Sequence, residues 1–267
     1  MRTTFDQNLF TQIGLDSGSL TMLGSVVHTF AEAGEYRGAV HLGEQVVSVF
    51  YITADKNSPV AQVNVDLATL NGAAVQASDC CCPGETKGEQ NHFVINPKGY
   101  AVFHVSAGSG GYYIHLRKAD DNPNLKVFDS RRLEAGDIYT AVILRPGRYS
   151  VTNTLTKATG ELTVPYPKIG EKAYRPPAPI RVESDDKGFH PRNMEVHPGQ
   201  GVLFHFKSTS RIKIDLVKPD DGPAKSTEPS RAGWTKVALP EKEPPKPSVK
   251  QPAKPASKAP AKPSSRK

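Results

Sequence analysis

Three consecutive cysteines, Cys80, Cys81 and Cys82, are followed at once by Pro83. Thiolates are soft donors, so the cluster is a candidate ligand set for copper or zinc. Adjacent cysteines close a tetrahedron poorly, because zinc sites space their ligands at least two residues apart. Exposed thiols that form an intermolecular disulfide on oxidation are the plainer expectation. His104 and His115 form a second candidate set. If residues 100–105 and 112–117 pair across the turn Gly108-Ser109-Gly110-Gly111, His104 faces Tyr113 and sits diagonal to His115. Two imidazoles on that diagonal suit a shared metal or a proton, whereas outward aromatic cover of a sheet needs no chemistry at all.

A third chemistry is purely electrostatic. Residues 240–267 contain eight prolines and no aromatic residue, with lysines at every fourth position: Lys242, Lys246, Lys250, Lys254, Lys258 and Lys262. Arg266 and Lys267 follow. Seven lysines and one arginine, less Glu241 and Glu243, give +6 of the whole chain's +7, so the body is nearly neutral. Such a segment has too little apolar surface to fold alone and predicts a disordered basic arm, which is either a solubilising tether or a contact for nucleic acid or another polyanion.

Catalytic patterns are missing. Gly108-Ser109-Gly110-Gly111 joins two predicted strands and lacks the lysine of a phosphate loop. Asp120-Asp121 and Asp220-Asp221 precede Asn122-Pro123 and Gly222-Pro223, which turn chemistry explains without calcium. No nucleophile stands at a recognisable spacing from a base, so the expectation is a non-enzyme. The N-terminus has no basic-then-apolar leader and the chain no long apolar run, which together predict a cytoplasmic protein.

The elements that would position these residues are short strands. Alternation broken by Gly, Pro, Asn and Asp places strands near 92–96, 100–105, 111–118, 125–128, 138–144, 147–155 and 161–165. A proline-rich connector around 166–179 leads to a last group, where Val202, Phe204 and Phe206 share one face and Ile212, Ile214 and Leu216 another. The segments also repeat. Residues 93–105 return as 194–206, with Pro97, Phe103 and His104 matched by Pro198, Phe204 and His205, and 114–123 match 214–223 at six of ten positions. Fainter echoes link 40–47 to 196–203 and 63–67 to 212–216.

Self-similarity of this kind predicts modules. The expected division is an N-terminal arm at 1–19, a small β module at 20–83, a β-sandwich at 90–167, a truncated copy of it at 177–239, and the basic tail at 240–267. The fold class is all-β, with tandem antiparallel sandwiches of cupredoxin-like or immunoglobulin-like type.

Gly188-Phe189-His190-Pro191, followed by Met194 through Phe204, is similar to the opening of cupredoxin domains. That resemblance implies the fold. It also implies a copper site of two His, a Cys and an axial Met, but Lys207-Ser208-Thr209-Ser210-Arg211 stands where a ligand is due and no Cys follows Cys82. The resemblance is therefore to cupredoxins lacking type 1 copper ligands. The leading expectation is a non-catalytic binding or assembly protein, whose sandwiches contact a protein partner or a second copy and whose tail contacts a polyanion. The alternatives are a metal-binding or redox carrier using Cys80, Cys81, Cys82 and surface histidines, and a carbohydrate or adhesion module.

Overall fold

Strand-forming alternation runs through the chain, and the computed structural model turns it into three sheets. It describes residues 8–70, 91–119, 126–167 and 174–222. The cysteine cluster, the Asp120-Asp121 pair and the lysine-rich C-terminus lie outside the described residues. All described strands belong to the compact unit Met1–Ala224, and the second unit, Lys225–Lys267, is outside them. Among the described residues no helix is long and apolar enough to cross a membrane.

After a one-turn helix α1 (Asn8–Thr11) come β1 (Gly14–Asp16), β2 (Gly24–Thr29), β3 (Gly34–Leu42), β4 (Gln45–Ala54) and β5 (Gln62–Asp66). A second short helix α2 (Leu67–Leu70) precedes β6 (His92–Ile95), β7 (Tyr100–His104), β8 (Tyr112–Lys118) and β9 (Phe128–Asp129). The rest are β10 (Ile138–Val142), β11 (Gly147–Asn153), β12 (Thr159–Val164), β13 (Ile180–Asp185), β14 (Gly188–His190), β15 (Asn193–Glu195), β16 (Gly201–Phe206) and β17 (Ile212–Pro219). The sheets run β6-β4-β3-β8-β9, β14-β13-β16-β10-β2-β7-β5 and β1-β17-β11-β12-β15. They are mixed and not purely antiparallel as expected: β4 with β6, β5 with β7, β12 with β15 and β13 with β16 pair in parallel.

The seven-stranded sheet draws strands from all three expected segments, so 20–83, 90–167 and 177–239 are not separately closed sandwiches. The true unit of repetition is different. Residues 24–118 and 138–219 trace the same path, β2 through β8 matching β10, β11, β12, β13, β15, β16 and β17. Corresponding pairs meet in corresponding register: Val26 faces Phe103 as Tyr139 faces Phe204, and Val65 faces Phe103 as Val182 faces Phe204. Both phenylalanines are fully buried. The fainter echoes are thereby overturned, since β3 matches β11 and β5 matches β13.

Each half is led by a strand that joins the other half. Leu15-Asp16-Ser17-Gly18-Ser19-Leu20 leads into β2 but pairs with β17, and Phe128-Asp129-Ser130-Arg131-Arg132-Leu133 leads into β10 but pairs with β8. The two motifs are built alike. Asp16 and Asp129 accept the amide hydrogens of Gly18 (2.7 Å) and Arg131 (3.0 Å). Ser17 and Ser130 accept those of Ile212 (3.1 Å) and Ile114 (3.0 Å), so Ile114 corresponds to Ile212, two residues earlier than sequence identity places it. Within the expected arm at 1–19, Gly14–Asp16 is thus an integral strand of the second half, while residues 1–7 lie outside the described residues.

Two tyrosines fix the entry to each half's inner strand. Tyr36 donates to Glu32 O (3.0 Å) and Tyr149 to Arg145 O (2.7 Å). Gly147 lies between, at φ 153°, where a Cβ would stand 2.7 Å from Lys218 O. The inner faces of the sheets form one continuous core, from Leu15 and Leu20 through Phe50, Ile114 and Tyr139 to Phe204 and Ile214.

Candidate anion-binding groove

Duplication supplies an internal comparison. Residues the fold requires recur in both halves, as Tyr36 and Tyr149 or Ser17 and Ser130 do, whereas a chemistry present in one half alone is free of that constraint. The outer face of β11, β12, β15 and β17 carries such a chemistry. Between Arg148 and Tyr149 the register against β17 shifts: Arg148 pairs with Lys218, Tyr149 with Leu216, and Val217 bulges outward at 70% exposure. Arg148 and Lys218 therefore stand directly opposite each other, an arrangement that like charges disfavour.

An open groove of ≈ 770 Å³ lies over these positions. Arg148, Arg192 and Lys218 line it, with Ser150, Thr159 and Asn193 as neutral hydrogen-bonding neighbours and Glu161 as the one carboxylate. A second cavity of ≈ 380 Å³ shares Arg148 and Lys218 and extends toward Thr163 and Asp220. Among the described residues none of the three cations has an ion-pair partner. The register makes Glu35 the counterpart of Arg148, since Glu35 pairs with Thr53 as Arg148 pairs with Thr163. Asn91, one residue ahead of β6, corresponds to Arg192, and Lys118 at the comparable edge is bridged to Glu32 (3.1 Å). Unpaired guanidinium and ammonium groups around an open groove can hold phosphate, sulfate or carboxylate groups, Arg by paired N–H donors and Lys as a point charge.

The first half carries its own chemistry on the outer face of β3 and β8. His41 stacks on Tyr113 with ring centres 4.5 Å apart and lies 4.7 Å from His115. The Arg131 guanidinium sits 4.2 Å over the Tyr113 ring. His115 Nε2 is 3.1 Å from an Asp129 carboxylate oxygen, 2.9 Å from Arg131 Nη2 and 3.3 Å from Lys126 Nζ. Burial by itself would raise the Asp129 pKa, but hydrogen bonds from the His115 and Arg131 side chains and the Arg131 amide outweigh it and hold the carboxyl far below its usual range. His41 is pushed down by burial first, then by its neighbours His115 and Arg131, and its Nδ1 is buried with no hydrogen-bond partner among the described residues.

Of the residues singled out in the sequence, His104 and His115 are not brought together. β7 pairs with β2 and β5 and β8 with β3 and β9, so the expected hairpin does not form and Tyr113 faces His41. His104 stands opposite Ser25 and Asp66. Among the described residues no cluster of three or more His, Cys, Asp or Glu side chains has the spacing of a metal site. Cys80, Cys81 and Cys82, like Lys242 through Lys267, lie outside them. Sequence reading missed the groove because Arg148, Arg192 and Lys218 are scattered over 70 positions, and only the strand order gathers them. The Asp-Ser motif at 16–17 and 129–130 was the available clue to the true repeat. No protein family, curated protein or solved structure matches the chain.

Proposed function

We propose that this is a non-catalytic binding or assembly protein of the cytoplasm that holds a polyanion in the groove over Arg148, Arg192 and Lys218, and that the lysines and arginine of 240–267 bind polyanions in their own right. What carries the reading is the gathering of Arg148, Arg192 and Lys218 around one open groove, with no ion-pair partner for any of them among the described residues. Like charges directly opposite also occur in the other half, as Arg37 against Arg117, but there, among the described residues, no groove with a third cation joins them. The C-terminal segment adds charge of the same sign with no aromatic residue to stack on bases, so recognition is by charge and not by sequence.

Retention on immobilised heparin and binding to duplex DNA across a salt series test it. Six engaged charges give a slope of about −5 on a log–log salt plot. Arg148→Gln with Arg192→Gln and Lys218→Gln, and separately deletion of 240–267, should each lower affinity and flatten the slope. Unchanged retention when both changes are combined overturns the reading.

A further inference from the structure

One side of the seven-stranded sheet packs on the core; among the described residues no segment is paired over the other, whose central positions are half-buried or exposed. On its four central strands the open side presents Ser25, Val27 and Thr29 from β2, Ile138, Thr140 and Val142 from β10, Gly201, Leu203 and His205 from β16, and Tyr100, Val102 and His104 from β7. None of these twelve is Asp, Glu, Lys or Arg. Solvent-facing strand positions are ordinarily rich in charge, so a charge-free centre four strands wide marks an interaction surface.

The face has internal symmetry. Read across the strands, one row runs Glu183, His205, Ile138, Val27, Val102, Asn64. The next, read from the opposite edge, runs Asp66, His104, Ser25, Thr140, Leu203, Arg181. An acid and a histidine stand at the start of each row, aliphatic or hydroxyl residues fill the middle, and only the far ends differ: Asn64 in one, Arg181 in the other.

We infer that this open face is the contact between two copies of the chain, packed sheet on sheet about a two-fold axis parallel to the central strands. Such a rotation keeps each row at its own level and exchanges its ends. Arg181 then lies over the partner's Asp66, and the partner's Arg181 over Asp66, while the uncharged centres meet. Each copy closes the same surface of the other, as an isologous interface requires. Seven strands about 4.8 Å apart and five residues deep make a face of roughly 550 Å² per copy. Both copies together bury about 1,100 Å², at the small end of specific interfaces, so the dimer dissociates on dilution. The lysine-rich segment 240–267 is the poorer occupant, since it has no apolar row to bury and the central face no carboxylate to meet its charge. The inference does not depend on the anion groove, whose residues lie on another sheet.

Sedimentation velocity of the full chain in reductant, over a dilution series, tests it. A monomer–dimer equilibrium is expected. Val27→Glu with Leu203→Glu should shift it to monomer with circular dichroism unchanged. Thr140→Lys, a single change at a half-buried hydroxyl, keeps the test decisive if the double variant fails to fold. Arg181→Asp should also weaken association, by setting like charges against Asp66. A monomer at every concentration overturns the inference. So does a dimer that survives the face variants, which would place the contact on another surface or in the segments 71–90 or 223–267.

Discussion

His41 and His205 show how single side chains tie this fold to pH. Both have pKa values lowered first by burial, then by a neighbouring positive group, His115 and Arg131 for His41 and Arg181 for His205. The folded protein therefore prefers both rings neutral, while the unfolded chain takes up protons near pH ~6.5. Above that value neither state is charged and the stability contribution is complete. Below it the unfolded chain gains protons that the fold refuses, and stability falls until the pH passes each folded-state value. Thermal unfolding between about pH 8 and pH 5 should show the melting temperature dropping on the acid side. In a His41→Gln, His205→Gln variant that slope should flatten; an equal slope would mean that other groups carry it. Asp129 works at the far acid end with the opposite charge: its stabilisation is present above the ordinary aspartate range and is lost only as pH falls through its depressed value. His205 was legible as outward-facing from alternation with Phe204. The partners of His115 were not, because Asp129 ends a strand of two residues and Arg131 lies in the turn after it, with no periodicity to read.

At the scale of elements, strands with a full alternating pattern were legible and their partners were not. β16 and β17 follow from Val202, Phe204 and Phe206 and from Ile212 and Ile214, all of which are buried as that pattern requires. The turn glycines between β7 and β8 predict a hairpin, but β7 and β8 belong to different sheets. A Gly-rich loop gives a change of direction and says nothing of which strand receives the chain. The leading strands were harder to read for a different reason: three and two residues long, they join short backbone ladders to side-chain acceptors, and only the strand expected at 125–128 touches one of them. Ser17 and Ser130 satisfy buried amides of Ile212 and Ile114 in identical fashion. Ser17→Ala and Ser130→Ala should each cost about 1–3 kcal/mol in chemical denaturation, the usual penalty of a buried unpaired N–H. Closely similar losses are expected from the two; a loss at one site alone would show that the motifs are alike in geometry but not in energy.

For the whole molecule, repetition was readable and its boundaries were not. Identity is strongest at 114–123 and 214–223, and it misleads by two residues because the loop before β8 is longer than the loop before β17. Exchange of the leading strands has a direct test. Removing residues 1–19 takes away β1, the burial of Leu15, the Ser17 acceptor and the Asp16 pair with Arg211 (2.8 Å), all of which serve the second half. Lost burial and hydrogen bonding of that size should lower the melting temperature by roughly 10 °C or more. A melt close to that of the full chain would return 1–19 to the status of a loose arm. The same exchange sets an order on events during synthesis. Asp16 leaves the ribosome early, yet its neighbours Arg211 and Lys213 emerge almost two hundred residues later, and β9 must meanwhile pass from the second half's leader to the edge of the first. The first half can close once β9 has followed β8, but the second cannot be finished until β17 reaches β1. Until β17 is made, β1 stays without its partner strand, so the growing polypeptide offers an edge to mispairing that the finished protein does not.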